Sequence, residues 1–205
     1  MSADFLWPDK RFETLVGPVS RETGDKLHLY QSLLERWQKT VNLVSASTLP
    51  QVWSRHFLDS AQLIPHLPDH PVQIMDMGSG AGFPGLILAI LTSHKLHLVE
   101  SDTKKAIFLQ EVARQADLDV TIHNKRIEAV NPFGVEVLTA RALAPLKKLL
   151  SLSRQHHHAT VQALFLKGRD VQSEIDDIST HDGLEIRLYP SITDPDARIV
   201  HLTGF

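Results

Sequence analysis

Apolar positions recur along this chain with two different periods, and the change of period divides it. Leu27, Tyr30, Leu33, Leu34, Trp37 and Val41 stand three or four residues apart, a spacing that puts their side chains on one helix face. A second helix is predicted from Pro50, which suits a first turn, through Val52, Trp53, Phe57, Ser60, Leu63 and Ile64, with Pro65 as its stop. After Pro71 short apolar runs take over. Residues 72–77, 96–100, 119–124, 135–140 and 161–167 read as strands, and residues 85–91, 103–116 and 145–153 between them as helices. In the middle helix Leu109, Val112, Ala113 and Ala116 share a face. Strands and helices alternating at this spacing imply right-handed crossovers and a mostly parallel sheet. The end of the chain is different. Residues 184–189 and 198–202 are strand-like with only a turn-rich stretch between them, so they are expected to pair antiparallel. The expected architecture is one α/β domain, with a helical extension over 1–70 and a Rossmann-like core over 71–205.

Composition narrows the chemistry more than the fold. The chain has 205 residues, 42% hydrophobic and 22% charged, enough for one well-buried core. No apolar run approaches the ~18 residues of a membrane span. The first ten residues carry Asp4 and Asp9 and lack the basic-then-apolar order of a secretory signal, so the cytoplasm is the simplest location. There is no cysteine, which excludes disulfides, thiolate metal sites and a cysteine nucleophile. The net charge of −3 lacks the basic excess of a protein that grips nucleic acid by charge alone. A nucleic-acid substrate would need a local basic patch or a partner surface.

The strongest chemical signal is the run Asp76-Met77-Gly78-Ser79-Gly80-Ala81-Gly82-Phe83-Pro84-Gly85, directly after a predicted strand. Glycines there let the chain turn tightly into a helix while a ligand lies against the backbone, in space that a Cβ at Gly78 or Gly80 would take. Open α/β sheets place ligands at this end of their strands. Gly80, Gly82 and Gly85 fit the dinucleotide fingerprint G-x-G-x-x-G, with Glu100 twenty residues after Gly80 as the ribose-binding acid, so a nicotinamide oxidoreductase is one reading. Asp76 and Gly78 extend the pattern to D-x-G-x-G-x-G, which resembles the first motif of methyltransferases. Pro84 also removes an N–H from the segment that should open a pyrophosphate-binding helix, a loss that does not matter to S-adenosylmethionine. In either reading Glu100 can accept hydrogen bonds from vicinal ribose hydroxyls; its alternative is helix capping, for which Ser101 and Asp102 already stand available.

The acceptor is read by elimination. Carbon-5 of a pyrimidine needs a cysteine, and there is none. Exocyclic amines are usually handled by an Asn/Asp-Pro-Pro-aromatic motif after the fourth strand, where this chain has Ala140-Arg141-Ala142-Leu143-Ala144-Pro145. A ring nitrogen with a free lone pair, such as position 7 of guanine, needs only positioning and charge management. Small molecules and protein side chains stay open as acceptors. Arg141, alone among alanine and leucine at a strand end, is placed to hold the donor's carboxylate, a phosphate, or the oxygen-6 and nitrogen-7 edge of guanine; the alternative is a salt bridge at the sheet edge.

Taken in order, Asn42-Leu-Val-Ser, Arg55-His56-Phe-Leu-Asp59-Ser60, the 76–85 loop, Glu100-Ser-Asp-x-Lys-Lys, Arg126-Ile127-Glu128, Ala140-Arg141-Ala and Leu166-Lys167-Gly168 resemble the RsmG (GidB) family. The resemblance runs from about Leu27 to Arg169 and is loose beyond. Its members are bacterial class I methyltransferases that use S-adenosylmethionine to modify nitrogen-7 of one guanine in 16S ribosomal RNA. The resemblance implies that Gly78 and Phe83 line the donor pocket with Asp76, Gly80 and Glu100, that Ile127 and Glu128 meet the adenine, and that Arg141 belongs to the site. Arg55, His56 and Asp59 fall within one helical turn and are candidates for a polar face over the crevice, Arg55 and His56 for catalysis; a tethering network is the alternative. The implied partner is 16S ribosomal RNA within the small subunit, and the chain is expected to act as a monomer without metal. His156-His157-His158 reads as a flexible polar turn rather than a metal site. Arg11, Lys104, Lys105, Lys125, Arg126, Lys147, Lys148, Lys167 and Arg169 are candidates for an RNA-facing patch. A third reading is an RNA-binding module without catalysis.

Overall fold

The computed structural model describes residues 9–178 and 183–205. Its seven-stranded sheet has the order β3-β2-β1-β4-β5-β7-β6. The strands are β1 (Gln73–Met77), β2 (Lys95–Val99), β3 (Val120–His123), β4 (Val135–Arg141), β5 (His157–Lys167), β6 (Glu185–Pro190) and β7 (Arg198–Thr203). The first five run parallel to one another, and β7 runs antiparallel to both β5 and β6. The expected antiparallel ending is therefore present, as one reversed strand inserted before the edge.

The helices are α1 (Lys10–Val16), α2 (Arg21–Trp37), α3 (Asp59–Ala61), α4 (Gly85–Leu91), α5 (Thr103–Gln115), α6 (Leu146–Ser153) and α7 (Val171–Asp176). Ser20 caps α2 by accepting from the Thr23 N–H, and Asp102 caps α5 by accepting from the N–H groups of Lys104 and Lys105. Alternation in β1 and β2 sends Ile74, Leu96 and Leu98 to one face, where they join Tyr30, Phe57, Leu86 and Phe108 in a common core. Met75, Met77 and Val99 go to the other face, against Leu146, Leu149 and Ile175. The N-terminal helices thus share a core with the sheet.

Three expectations need correction. The stripe of apolar residues continues to Val41 but α2 stops at Trp37; Val41 reaches the core from the following turn. The continuous helix expected from Pro50 to Ile64 is broken into a 3₁₀ turn at Leu49–Gln51, a π-helical segment at Trp53–Leu58 and the single turn α3. Of the expected stripe Val52, Phe57, Ser60 and Leu63 are buried and Trp53 and Ile64 partly so, but Pro65 lies inside a new 3₁₀ turn, Ile64–His66, rather than ending a helix. The third concerns His156: its side chain is fully buried just before β5, with Nε2 3.1 Å from the Ile127 carbonyl, so it is no flexible polar residue. His157 and His158 begin β5, and their side chains lie outside the description. Neither α1 nor α7 was signalled by periodicity, each being too short to show a full stripe.

Candidate active site

Between the carboxyl ends of β1, β2 and β4 lies a cavity of about 530 Å³. Its floor is the backbone of Gly78 to Ala81, and Glu100, Ile127, Glu128, Phe83 and Arg141 stand around it. Gly80 has φ +57°, where an L side chain is strained, and a Cβ there would meet no protein atom closer than the Gly78 carbonyl at 3.9 Å. A Cβ at Gly78, φ +67°, would run into the Leu143 side chain at 2.6 Å. So the space above Gly80 is open, whereas at Gly78 it is taken by a neighbouring side chain.

Asp76 is fully buried behind this loop and does not line the cavity. Its Oδ1 accepts from the Thr139 hydroxyl at 3.0 Å and its Oδ2 from the Gly85 N–H at 3.2 Å. Burial pushes its carboxyl up to about 6, while those hydrogen bonds, with Arg141 nearby, pull the other way. Direct contact of its side chain with a ligand is thereby replaced by a role in holding the loop to α4. The same geometry separates the two cofactor readings. The first N–H of α4 points at Asp76 and the next, of Leu86, at the Gly82 carbonyl, so they are not open to a pyrophosphate.

Glu100 sits just past β2 with one carboxylate oxygen accepting from the Gly80 N–H (2.8 Å) and the other from the Asp102 N–H (2.7 Å). Each oxygen keeps a lone pair. The carboxylate is thus fixed at the cavity wall, able to accept two further donors such as vicinal hydroxyls. Ile127 is buried and Glu128 exposed on the 3₁₀ turn Ile127–Ala129, at the far side. Lys148 lies 3.8 Å from Glu128.

A second cavity, of about 260 Å³, adjoins the first, and Arg141 and Ala142 line both. The Arg141 Nη1 donates to Asp59 Oδ2 at 3.2 Å and to the Arg55 carbonyl at 3.3 Å, and its guanidinium lies 4.8 Å from the centre of the Phe83 ring. Ala142 follows with φ +52°, a strained conformation for a residue with a Cβ. Asp59 is also held by the Thr193 hydroxyl (2.6 Å) and the Gln62 amide (2.9 Å), and Arg55 pairs with Asp194 at 3.3 Å. These contacts tie the helical region to the loop between β6 and β7. The tethering alternative for Arg55 and Asp59 is therefore what the geometry displays, although both also line the second cavity.

His56 lines neither cavity. It stacks on Phe83 with ring centroids 5.0 Å apart, and its Nε2 lies 2.9 Å from the Thr48 hydroxyl. Burial, reinforced by Arg141 and Arg55, pushes its pKa down to about 3, so it stays neutral. A proton-transfer role for His56 thus gives way to support of Phe83. The residue that sequence reading missed is Tyr30. It is fully buried, stacked on Phe83 at 5.3 Å, and its hydroxyl donates to the Ala81 carbonyl in the glycine loop. Its place in a helical stripe marked it only as core.

Of the basic candidates, Lys105, Lys125, Arg126 and Lys148 rim the first cavity. Lys167 lies elsewhere, in the second cavity, paired with Glu174 at 2.7 Å. Arg11 is turned to Asp9. Among the described residues no group of acidic or histidine side chains is arranged to hold a metal ion, and no helix is long and apolar enough to cross a membrane.

Comparison with known proteins accords with this geometry. Solved structures of S-adenosylmethionine-dependent methyltransferases share the fold. One from Methanococcus maripaludis matches with a TM-score of 0.59 at 9% identity, covering 89% of this chain and 93% of its own. Another, from Aquifex aeolicus, has a TM-score of 0.58 at 12% identity and covers 75% and 92%. Relatives in sequence are much nearer. The ribosomal RNA small subunit methyltransferase G of Paramagnetospirillum magneticum is 48% identical over 184 residues, 90% of each chain, and that of Rhodospirillum rubrum is 44% identical over 185 residues, 90% of this chain and 92% of its own. The family of rRNA small subunit methyltransferase G (GidB) matches residues 23–185. With most of its length matched and the glycine loop, Glu100 and Arg141 brought to one cavity, this chain belongs to the S-adenosylmethionine-dependent rRNA small subunit methyltransferase G family.

Proposed function

We propose that this chain transfers a methyl group from S-adenosylmethionine to nitrogen-7 of a guanine in 16S ribosomal RNA, acting as a monomer on a folded small subunit. The observation that carries the reading is the junction of the two cavities at Arg141, within a chain whose family methylates small-subunit RNA. The first cavity suits the donor. Gly80 leaves room at its floor, Glu100 offers two free lone pairs to the ribose, and Ile127 with Val99 and Leu43 supplies apolar wall for the adenine. The donor brings a methyl group on a positively charged sulfur, electrophilic enough to need no further activation.

The acceptor base enters from the side of the second cavity. Nitrogen-7 of guanine carries its own lone pair, so no base has to remove a proton before attack. That agrees with a site in which His56 is neutral and out of reach. What the chain supplies is alignment. Arg141, fixed by Asp59 and the Arg55 carbonyl, still has donors free in its guanidinium fork for the oxygen-6 edge of the base.

The net charge of −3 gives little general attraction for RNA. A target presented by folded RNA and ribosomal proteins adds contact surface and holds the guanine in line. The test is methylation of protein-free 16S RNA, small subunits and whole ribosomes side by side, with the product identified by mass spectrometry. Small subunits are expected to react fastest, and protein-free RNA to lose activity steeply as salt rises. Equal rates on naked RNA and subunits would refute the need for assembly, and a product other than 7-methylguanine would refute the function.

A further inference from the structure

The connection from β3 to β4 contains no α-helix, only the 3₁₀ turn Ile127–Ala129. The sheet face beneath it is polar where a packed face would be apolar. Gln73, His97 and His123 lie on one face of β1, β2 and β3, each stepped two register positions beyond the last, around a third cavity of about 330 Å³ that Lys125, Asn131 and Phe133 close. His97 Nε2 lies 3.2 Å from Gln73 Oε1, and His97 Nδ1 lies 3.3 Å from His123 Nε2. With the glutamine oxygen accepting, His97 is protonated on Nε2 and accepts on Nδ1 from His123. The outer imidazole is left with its lone pair on Nδ1. Phe133 lies against this pair, 5.3 Å from His123 at an interplanar angle of 17° and 4.5 Å from His97.

Four properties of the cavity point the same way. Its rings lie close together, Phe133 and His123 within 17° of parallel and His97 tilted 42° from Phe133, and burial, first among causes, lowers the pKa of both histidines so that they present neutral π faces at pH 7. Lys125 has no ion-pair partner among the described residues, which leaves a cation at the rim. The exposed Asn131 offers an amide that both donates and accepts. Lys125 also lines the donor cavity, so the two spaces are neighbours. Aromatic rings beside a free cation and a hydrogen-bonding amide are what single-stranded RNA uses: a base stacks, and its phosphate meets the charge.

We infer that this third cavity is a second nucleotide subsite, which holds a ribonucleotide of the substrate RNA other than the target guanine. Its base stacks on Phe133 and His123, Lys125 meets its phosphate, and Asn131 contacts the base edge. The inference rests on the RNA-methyltransferase reading above. Because every base has a π face, the stacking adds affinity without selecting sequence, and any preference comes from the Asn131 contact.

Two variants test it. Phe133→Leu keeps an apolar side chain but removes the ring. In the small-subunit methylation assay it is expected to raise KM for subunits roughly tenfold, with KM for S-adenosylmethionine unchanged and the melting temperature lowered slightly by the lost ring contacts. Phe133→Trp keeps a ring and is expected to retain the wild-type KM. Its added fluorescence is expected to be quenched when a single-stranded oligoribonucleotide is titrated in, a readout that needs no methyl transfer. Wild-type KM for subunits in the leucine variant, or no quenching in the tryptophan variant, overturns the subsite. Failure of the wild-type protein to make 7-methylguanine, with quenching intact, would overturn the reaction instead and leave the subsite standing.

Discussion

The two cavities that meet at Arg141 are made from different material. The first cavity has a floor of backbone, a single run from Gly78 to Ala81 with Glu100 fastened to it through the Gly80 N–H, beneath side chains from several other stretches. Its neighbour is shaped by side chains from four stretches far apart in sequence: Arg55 and Asp59, Arg141, Lys167 with Glu174, and Thr193 with Asp194. Six of the charges lining the second cavity are already paired with one another, Arg141 to Asp59, Arg55 to Asp194 and Lys167 to Glu174. A backbone-built site has little freedom to adapt when one residue changes. A site of paired side chains can exchange partners, so an incoming base can take a hydrogen bond from Arg141 without leaving an orphaned charge behind.

The sharpest way to break this contrast is at the floor of the donor cavity. Gly80→Val forces a β-branched residue into the left-handed region, at about 1–2 kcal/mol, and places its side chain in open cavity space. The fold is expected to survive with a lowered melting temperature, and calorimetry is expected to detect no binding of S-adenosylmethionine. Unchanged affinity would mean that the donor does not lie on this loop.

Arg141→Lys tests the other cavity with a smaller effect. The charge stays near Asp59, but the planar fork that spans Asp59, the Arg55 carbonyl and the Phe83 face is lost. Turnover is expected to fall roughly a hundredfold, as for a misplaced reacting group, with donor affinity changed far less. Wild-type turnover in the lysine variant would reduce Arg141 to a structural tie.

The same contrast governs what the amino-acid order reveals. The glycine loop is contiguous, so its pattern, the strand before it and the helix after it are visible together; α4 begins and ends at the predicted residues. A mostly parallel sheet was expected from the alternation of strands and helices, and the antiparallel final pair from the missing helix between its strands, but neither gave the strand order. Asp76 shows the limit. Its position in the motif is plain, but only the fold shows that Thr139 and Gly85 claim both of its oxygens. The second cavity was legible only as separate residues, since the contact of Asp59 with Thr193 spans 134 positions. The third was not legible at all, because nothing in sequence brings Gln73, His97 and His123 together except strand register.

His56 offers a pH-dependent measure of how rigidly the helical region is joined to the loop. Its pKa is about 3 in the folded chain, against 6.5 ordinarily. Above pH 6.5 it is neutral in both folded and unfolded states and adds no slope. As pH falls from 6.5 towards 3, the unfolded chain takes up a proton that the folded one refuses, so stability is lost, by up to ~1.4 kcal/mol per pH unit. His56→Phe keeps a ring against Phe83 and removes the titration. Urea unfolding between pH 6 and 4 is expected to show a flatter decline in the variant, and parallel profiles would mean that His56 is hydrated in the folded state.

The smallest expected effect lies at Tyr30, where the helical extension touches the backbone-built cavity most directly. The hydroxyl of Tyr30 donates to the Ala81 carbonyl from a side chain with no exposure, and its ring packs against both Phe57, at 5.2 Å, and Phe83, at 5.3 Å. Tyr30→Phe removes one hydrogen bond and leaves the stacking, so the buried Ala81 carbonyl loses its donor while the core keeps its volume. A neutral hydrogen bond of this kind contributes about 0.5–1.5 kcal/mol. If that energy is used to hold the glycine loop in its binding shape, it reappears in the donor's affinity: KM for S-adenosylmethionine is expected to rise roughly two- to tenfold, with kcat at saturating donor preserved. A purely structural role moves melting temperature and leaves KM alone. The split between those two readouts decides whether the helical region merely covers the sheet or also sets the shape of the donor site.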